Sequence, residues 1–199
     1  MYTMNSELFL DKNKLRSDLR RRLRTLPPEE PRLTGETMAA VLAADALWQY
    51  APRVLLFAGE TRRLREIDTQ PLINAALAAG KEVALPRCAP ESAMDFYLIR
   101  SMEDTAPGAW SIREPAEGCP LVTPREADLF LVPCLAAGRG GERLGQGGGY
   151  YDRYFARFPE AAAQAVLVCR KELILDVLPV EAHDTLFSRI LTQERLLLI

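Results

Sequence analysis

The chain has 199 residues, 48% of them hydrophobic, which suits one medium-sized α/β domain with a sizeable core. Lysine and arginine total 25 against 27 acidic residues, so the net charge of -2 gives no global signal for binding nucleic acid or an anionic membrane. The first residues lack the pattern of a secretory leader, and no apolar run approaches the roughly 18 residues of a membrane span. We therefore expect a cytoplasmic protein.

Cysteine and histidine usage gives little support for a metal centre or a nucleophilic hydrolase. The four cysteines are far apart and form no CxxC pair, so we expect reduced, mostly buried thiols. They are Cys88, Cys119, Cys134 and Cys169. The single histidine, His183, is accompanied by neither an HExxH motif nor a GxSxG elbow. We interpret His183 as an ordinary polar residue near a turn.

The first predicted element is a helix over residues 12–26. Its leucines recur every three to four residues, which places them on one apolar stripe, and Pro27 follows. A row of basic residues runs beside that stripe at the same spacing: Lys12, Arg16, Arg20 and Arg24. We expect the arginines from Arg20 to Arg24 to form a solvated face. For Lys12 and Arg16, a solvated face and a binding cleft both stay open.

The remaining elements alternate between helix and strand, which indicates an α/β fold. A β-α-β unit is predicted where strand 54–57, helix 71–79 and strand 82–85 follow one another. The other predicted elements are helix 39–50, an edge strand 96–99, strand 128–132, helix 150–158, strand 165–168 and late strands 190–192 and 195–198. Residues 107–124 are rich in proline and glycine, and we interpret them as a long surface excursion.

A glycine-rich loop, GERLGQGGGYYD, lies between strand 128–132 and helix 150–158. In that context, backbone N–H groups and a helix N-terminus can hold an anion, although the loop matches neither a P-loop nor GxGxxG. Arg143 offers a planar donor fork for phosphate oxygens, and Asp152 a carboxylate for Mg²⁺. A flexible surface loop in which Asp152 stabilises a helix N-terminus is an equal alternative from composition alone.

The stretch RLGQGGGYYD, from Arg143 to Asp152, resembles the signature of the 5-formyltetrahydrofolate cyclo-ligase family, also called methenyltetrahydrofolate synthetases. The family pattern runs Arg-Leu-Gly-x-Gly-x-Gly-Tyr-Tyr-Asp. Further family landmarks occur in the same order along nearly the whole chain. They are Lys12-Asn13-Lys14-Leu15-Arg16, Glu66-Ile67-Asp68-Thr69, Leu85-Pro86-Arg87, Trp110 before Glu114-Pro115, Val132-Pro133 and His183-Asp184.

The resemblance implies a single domain over residues 1–199, with a central, largely parallel sheet between helical layers, similar to sugar-phosphate isomerases and CoA transferases. It implies conversion of 5-formyltetrahydrofolate to 5,10-methenyltetrahydrofolate, with ATP as co-substrate, Mg²⁺ as cofactor, and release of ADP and phosphate. Such phosphoryl transfer needs positioning and charge neutralisation but no covalent nucleophile. We expect a monomer that binds neither nucleic acid nor membranes.

The resemblance also implies the roles of individual residues. Those expected to contact ATP are Lys12, Asn13, Lys14, Leu15, Arg16, Arg143, Leu144, Gly145, Gln146, Gly147, Gly148, Gly149, Tyr150 and Tyr151. Those expected to contact the folate are Phe57, Glu66, Trp110, Gln146 and Tyr150. The catalytic candidates are Lys12, Arg143 and Tyr151, and the metal ligand is Asp152. If this is correct, the basic row of the first helix and the glycine loop must converge on one triphosphate.

Two departures from the family pattern support other functions. Residues 134–138 read CLAAG where the family has an aromatic residue and an acid, and Ser188 stands where the family commonly has an aspartate. A non-catalytic folate- or nucleotide-binding member is therefore the main alternative. An RNA-binding module based on the basic helix is a third possibility, which the net acidity disfavours.

Overall fold

The computed structural model describes residues 11–108, 112–181 and 184–199, and a mixed sheet is their central element. The helices are α1 (Lys12–Arg24), α2 (Glu30–Ala43), α3 (Ala46–Tyr50), α4 (Gln70–Ala78), α5 (Tyr150–Arg157) and α6 (Pro159–Ala163). The strands are β1 (Arg53–Leu55), β2 (Glu82–Cys88), β3 (Met94–Ile99), β4 (Thr105–Pro107), β5 (Arg113–Pro115), β6 (Leu121–Val122), β7 (Leu129–Pro133), β8 (Ala136–Gly138), β9 (Arg143–Leu144), β10 (Ala165–Val168), β11 (Ile174–Leu175), β12 (Arg189–Leu191) and β13 (Leu196–Leu198).

The main sheet has the strand order β13-β12-β10-β7-β1-β2-β3-β6. From β12 to β2 the neighbouring strands are parallel, whereas β13, β3 and β6 pair antiparallel at the two sides. The predicted β-α-β unit is β1-α4-β2 and is confirmed. Because the five central strands are parallel, their carboxyl ends share one edge, where α/β proteins usually place ligands.

Helices cover both faces of the sheet, so the expected three-layer α/β fold is confirmed. Leu19 of α1 and Phe155 of α5 belong to one buried cluster, and Met38 of α2 and Leu72 of α4 belong to the other. Along β1 the side chains alternate between the clusters, as the two-residue period of a strand requires. None of the helices in the described ranges has the length and apolarity needed to span a bilayer.

Helix α1 begins where the sequence predicts, because Asp11 caps it. The Asp11 carboxylate accepts a hydrogen bond from the Asn13 backbone N–H at 2.8 Å, which satisfies one of the donors that a helix N-terminus leaves without partners. Leu19 and Leu23 are buried under the helix. The apolar stripe therefore fixes which face of α1 docks on the body, and the basic row lies beside that face.

The predicted helix 39–50 is wrong in both its start and its continuity. Helix α2 begins at Glu30, and a separate helix α3 starts after Asp45, whose carboxylate accepts from Leu47 N–H at 2.8 Å. The early part of α2 was missed because it includes Gly35, a poor helix former. A Cβ on Gly35 would lie 1.9 Å from the Asp68 carbonyl oxygen, so close packing requires glycine there.

Three further predictions are corrected by the structure. Strand β3 is not at the edge of the sheet, since β6 pairs with its outer side. Residues 107–124 are not simply a surface excursion, because β5 and β6 lie within them. The glycine loop also does not follow β7 directly, because β8 lies between them and pairs antiparallel with β9, which is part of the loop. Strands of two or three residues give too short a pattern to recognise from sequence.

Candidate functional site

Helix α1 and the glycine loop meet, although they are far apart in sequence. Arg16 Nε donates to the Gly145 carbonyl oxygen at 2.9 Å. Arg20 Nε donates to Gln146 Oε1 at 3.0 Å, and its Nη2 donates to the Gln146 carbonyl oxygen at 2.8 Å. The structure thus brings two members of the basic row, Arg16 and Arg20, against the loop.

The expected exposure of Arg20 is wrong. The Arg20 guanidinium donates hydrogen bonds to Gln146, because Arg20 lies one turn after Arg16 on the same side of α1. Arg22 and Arg24 are exposed as predicted, and Arg21 is exposed and pairs with Asp18. The spacing of four residues between Arg16 and Arg20 was the signal that could have identified this contact.

Lys12 holds the start of α1 against the C-terminal part of the chain. Its Nζ donates to Asp184 Oδ2 at 2.6 Å and lies 3.3 Å from Glu181 Oε1, with 13% of its side chain exposed. The neighbouring Asn13 and Lys14 are exposed, whereas Leu15 packs against the core. Of the residues on α1 that are predicted to contact ATP, Arg16 contacts the glycine loop, whereas Lys12 is bound by Asp184 and Glu181.

Arg143, on β9, forms an ion pair with Asp152, in the first turn of α5. Arg143 Nη2 lies 3.0 and 3.1 Å from the two Asp152 carboxylate oxygens, and Nη1 donates to the Pro133 carbonyl oxygen at 3.2 Å. Arg143 is 8% exposed and Asp152 28%. Arg143 Nε is buried and has no hydrogen-bond partner among the described residues. The predicted phosphate donor and the predicted metal ligand therefore bind each other.

Tyr151 lies beneath this ion pair. Its ring centroid is 5.4 Å from the Arg143 guanidinium carbon, and its buried hydroxyl has no hydrogen-bond partner within the described part of the chain. Burial raises the pKa of the Tyr151 phenol, so the hydroxyl stays protonated at neutral pH. Tyr151 can then act as a hydrogen-bond donor, and it cannot act as an anionic base.

Glu66 follows β1, and both of its carboxylate oxygens are hydrogen-bonded. Oε1 accepts from Gln146 Nε2 at 2.6 Å, and Oε2 accepts from the Glu60 backbone N–H at 2.9 Å. Burial raises the pKa of Glu66 above 4.5, and these two hydrogen bonds partly oppose that shift. Gln146 thereby links Arg20 on one side to Glu66 on the other.

Glu66 lines a pocket at the carboxyl edge of the parallel strands. The pocket is narrow, with a cavity volume of about 20 Å³, which is room for roughly one water molecule, and it lies where β1, β7 and β10 end. Its lining includes Phe57, Arg65, Glu66, Pro133, Cys134 and Arg170. The structure thus places Glu66 and Phe57 in one cavity. No sequence pattern identified Arg170, which lies in none of the motifs.

The other predicted site residues differ in their surroundings. Leu144 is buried in the core, and Tyr150 packs against that core with part of its surface exposed. A Cβ at Gly145 would lie 2.6 Å from Arg143 Nη1, so a larger residue there would displace the Arg143 guanidinium. Trp110 and His183 lie outside the described residues. The described ranges contain no group of three or more His, Cys, Asp or Glu side chains that could hold a metal ion.

Comparison with known proteins identifies the family. The sequence model of the 5-formyltetrahydrofolate cyclo-ligase family matches residues 10–193. The chain belongs to this family. The predicted membership of the cyclo-ligase family, and with it the prediction of an enzyme, is confirmed.

Similar cyclo-ligases come from distant organisms. The 5-formyltetrahydrofolate cyclo-ligase of Escherichia coli K12 is 30% identical over 188 residues, which cover 89% of this chain and 97% of that protein. The Mus musculus enzyme is 29% identical over 193 residues, covering 92% and 94% of the two chains. The NMR structure of Aquifex aeolicus 5,10-methenyltetrahydrofolate synthetase has a TM-score of 0.78 and 28% identity, covering 93% of this chain and 91% of that one.

Proposed function

We propose that the protein converts 5-formyltetrahydrofolate to 5,10-methenyltetrahydrofolate with consumption of ATP and release of ADP and phosphate. The observation that carries this proposal is the junction at Gln146, where the basic row of α1, the glycine loop and the carboxylate of the Glu66 pocket meet. A reaction between a nucleotide and a folate needs two adjacent sites, and the family membership supports this pair of ligands.

The nucleotide phosphates are assigned to the side formed by α1 and the glycine loop. Lys12 and Arg16 supply cationic donors there, and the glycines allow a close approach of the backbone. Arg143 would have to share its guanidinium between a phosphate and Asp152. Its buried Nε, which has no hydrogen-bond partner in the described ranges, supports a further ligand on this side chain.

Magnesium is assigned to Asp152. Mg²⁺ is commonly held by one or two protein carboxylates together with substrate phosphates, so a single partly exposed aspartate beside the glycine loop fits this ion. The bound ion would neutralise charge that develops on the transferred phosphoryl group. Arg143 orients the Asp152 carboxylate through contacts to both of its oxygens.

The folate is assigned to the Glu66 pocket, which would have to widen to admit a pterin because its cavity holds roughly one water molecule. A carboxylate suits the donor edge of a pterin, and Phe57 supplies an apolar wall. Gln146 of the glycine loop reaches the pocket through Glu66, Tyr150 of the same loop is proposed to contact the folate, and Trp110 is proposed to stack on or gate the pterin ring. Each of these assignments stays a proposal.

The formyl oxygen is a poor leaving group, so the reaction has to activate it before the ring can close. Transfer of the γ-phosphoryl group onto that oxygen gives an iminium-like carbon that the folate N10 can attack, and ring closure then expels phosphate. The protein aligns the two substrates, and Lys12 and Arg143 neutralise charge on the transferred phosphoryl group. The protonated hydroxyl of Tyr151 can donate a hydrogen bond to an oxygen that gains negative charge.

A non-catalytic binder is the second candidate. The CLAAG segment and Ser188 favour it, since both lack the acid that the family commonly has there. Ser188 is exposed, and its backbone carbonyl accepts from Ile199 N–H at 2.9 Å. A binder of this kind would hold both ligands without turnover. We also propose one domain and a cytoplasmic monomer.

The decisive experiment measures the absorbance of 5,10-methenyltetrahydrofolate when the purified protein meets 5-formyltetrahydrofolate, ATP and Mg²⁺. We expect product only when both ATP and Mg²⁺ are present, with ADP released in equal amount. Product without ATP would contradict the proposal. Binding of folate and ATP without product would favour the non-catalytic binder.

A further inference from the structure

Two of the four free thiols lie side by side at the carboxyl edge of the sheet. Cys134 directly follows β7, and Cys169 directly follows β10. These two strands are parallel neighbours, and the last pair in their register joins Pro133 to Val168. The next residues along the two strands are the two cysteines. They are far apart in sequence, but the fold makes them neighbours.

Both thiols lie on the same face of the sheet. Cys169 belongs to the buried cluster that includes Phe155, and Cys134 packs against that cluster. The Cys134 thiol donates to the Val168 carbonyl oxygen at 3.4 Å, so its sulfur lies against the strand that carries Cys169. Neighbouring strands are about 4.8 Å apart, and the Cα atoms of a disulfide are about 4.4–6.8 Å apart. The backbone can therefore accept a bond between the two sulfur atoms.

The two cysteines differ in how an oxidant reaches them. Cys169 is fully buried, and its sulfur lies 3.4 Å from the Arg170 carbonyl oxygen and 3.6 Å from that of Leu173. Cys134 is half-buried and lines the Glu66 pocket. A small oxidant such as a peroxide therefore reaches Cys134 first, from the pocket, and Cys169 reacts only through Cys134.

The surroundings of the Cys134 thiol protect it from oxidation at neutral pH. The neighbouring Cys169 thiol and burial raise the pKa of Cys134 well above its ordinary value, and the Arg143 guanidinium partly opposes that shift. The thiolate is the reactive form of a cysteine, so the pair stays reduced until an oxidant is in excess. Such a pair suits a modification that occurs only under oxidising conditions.

We propose that Cys134 and Cys169 are a modification site, where a peroxide joins the two sulfurs in a disulfide that lowers the affinity of the pocket for folate. The Cys134 thiolate attacks one peroxide oxygen, the O–O bond breaks, and a sulfenic acid and one water form. The Cys169 sulfur then attacks the sulfenic sulfur, the S–S bond forms, and the hydroxyl leaves as a second water. The thiols lose two electrons to the peroxide, and their protons end in the two water molecules.

The disulfide would act on the pocket by joining two of the strands that end there. Pro133 and Cys134 line the pocket from the end of β7, and Val168 and Arg170 line it from the end of β10. The pocket has room for roughly one water molecule, so it has to widen to admit a pterin. A covalent bond between the two strand ends opposes that widening. This step rests on the folate assignment in the proposed function.

The experiment treats the purified protein with hydrogen peroxide and maps the cysteines by mass spectrometry of a digest made without reductant. In the wild type we expect one cross-link, between Cys134 and Cys169, with a loss of mass equal to two hydrogen atoms. Calorimetry should then show a folate dissociation constant raised by roughly 10-fold, because apparent affinity falls with the fraction of molecules that can reach the widened pocket. Dithiothreitol should restore both the mass and the affinity.

Two variants test the two sulfurs separately. Cys134→Ala should give no cross-link and the same folate dissociation constant before and after peroxide, because Cys169 is buried behind it. Cys169→Ala should also give no cross-link, and Cys134 should then carry a sulfenic acid that dimedone traps. The matched control is Cys119→Ser, which removes a half-buried thiol before β6 and should respond to peroxide as the wild type does.

Three results would overturn the inference. They are the absence of the Cys134–Cys169 cross-link in the wild type, an unchanged folate affinity in the cross-linked protein, and an equal loss of affinity in peroxide-treated Cys134→Ala. The cross-link is read by mass and does not depend on turnover. A protein that forms it, loses folate affinity with it and makes no product when reduced would overturn the proposed function and leave this inference standing.

Discussion

Gln146 has a fixed amide orientation because its two ends meet different partners. Its Oε1 accepts from Arg20 Nε, and its Nε2 donates to Glu66 Oε1. A glutamate at this position would keep the contact to Arg20 and place a second carboxylate against Glu66. The amide is therefore the side chain that can join a cationic helix to an anionic pocket, and it explains how Glu66 stays hydrogen-bonded although it is largely buried.

The pH dependence of folate binding should report on Glu66. Burial raises the Glu66 pKa above 4.5, and the carboxylate fraction falls as the pH falls through that raised pKa. If the carboxylate accepts from the pterin, affinity decreases on the acid side by up to about tenfold per pH unit below the pKa. Calorimetric titrations across the acid range test this. Glu66→Gln should bind folate more weakly and should not lose affinity as the pH falls. The same loss of affinity at acid pH in both proteins would contradict the assignment.

Helix α1 docks on the glycine loop through two arginines, Arg16 and Arg20. Arg20→Gln removes two hydrogen bonds to Gln146, each from a charged donor. We expect the ATP KM to rise by roughly 10-fold, since such bonds contribute on the order of 1–3 kcal/mol. Steady-state kinetics measure this KM. Arg22→Gln is the control, because Arg22 is exposed on the same helix. Equal kinetics for both variants would show that the docking contact has no role in nucleotide binding.

The elements differ in how far the sequence could predict them. Helix α1 and strands such as β10 have strong local patterns, and their predicted positions are nearly those observed. The hairpin of β8 and β9 was missed because its strands are too short to show a period, so its pairing depends on contacts that appear only after folding. Arg170 was missed for a similar reason, since only the fold brings it to the pocket.

The signature could be placed on the chain, but the partners of its side chains could not. Arg143 and Asp152 are nine residues apart in sequence, and their ion pair exists because β9 and the first turn of α5 lie side by side. Similarly, nothing in the local sequence of Lys12 indicates its contact with Asp184, 172 positions along the chain. Residue types predict which chemistry is available, whereas tertiary contacts decide how each side chain is held.

The candidate site and the most deeply buried ion pair of the described residues occupy opposite edges of the sheet. The pocket lies at the carboxyl ends of β1 and β7, whereas Arg53 and Asp128 lie at the opposite ends of the same strands. Arg53 Nε donates to Asp128 Oδ1 at 2.9 Å and Nη2 donates to Oδ2 at 2.6 Å, and both residues are almost fully buried. Stability and ligand binding should therefore be separable by mutation.

Asp128→Asn should lower the free energy of unfolding by about 3–5 kcal/mol, because it removes the buried counter-charge of Arg53 and leaves only the half-exposed Glu82 carboxylate 3.8 Å away. Urea unfolding measures this loss, and the melting temperature should fall by roughly 6–20 °C for a chain of this size. The matched control is Asp176→Asn, which breaks the exposed 2.6 Å pair with Arg139 and should change the free energy of unfolding by about 1 kcal/mol or less.

Below its melting temperature the Asp128→Asn protein should bind folate with wild-type affinity, since the pair is remote from the pocket. A loss of affinity in the folded variant would show that the two edges of the sheet are coupled, and similar losses of stability in both variants would show that burial does not determine the strength of these ion pairs.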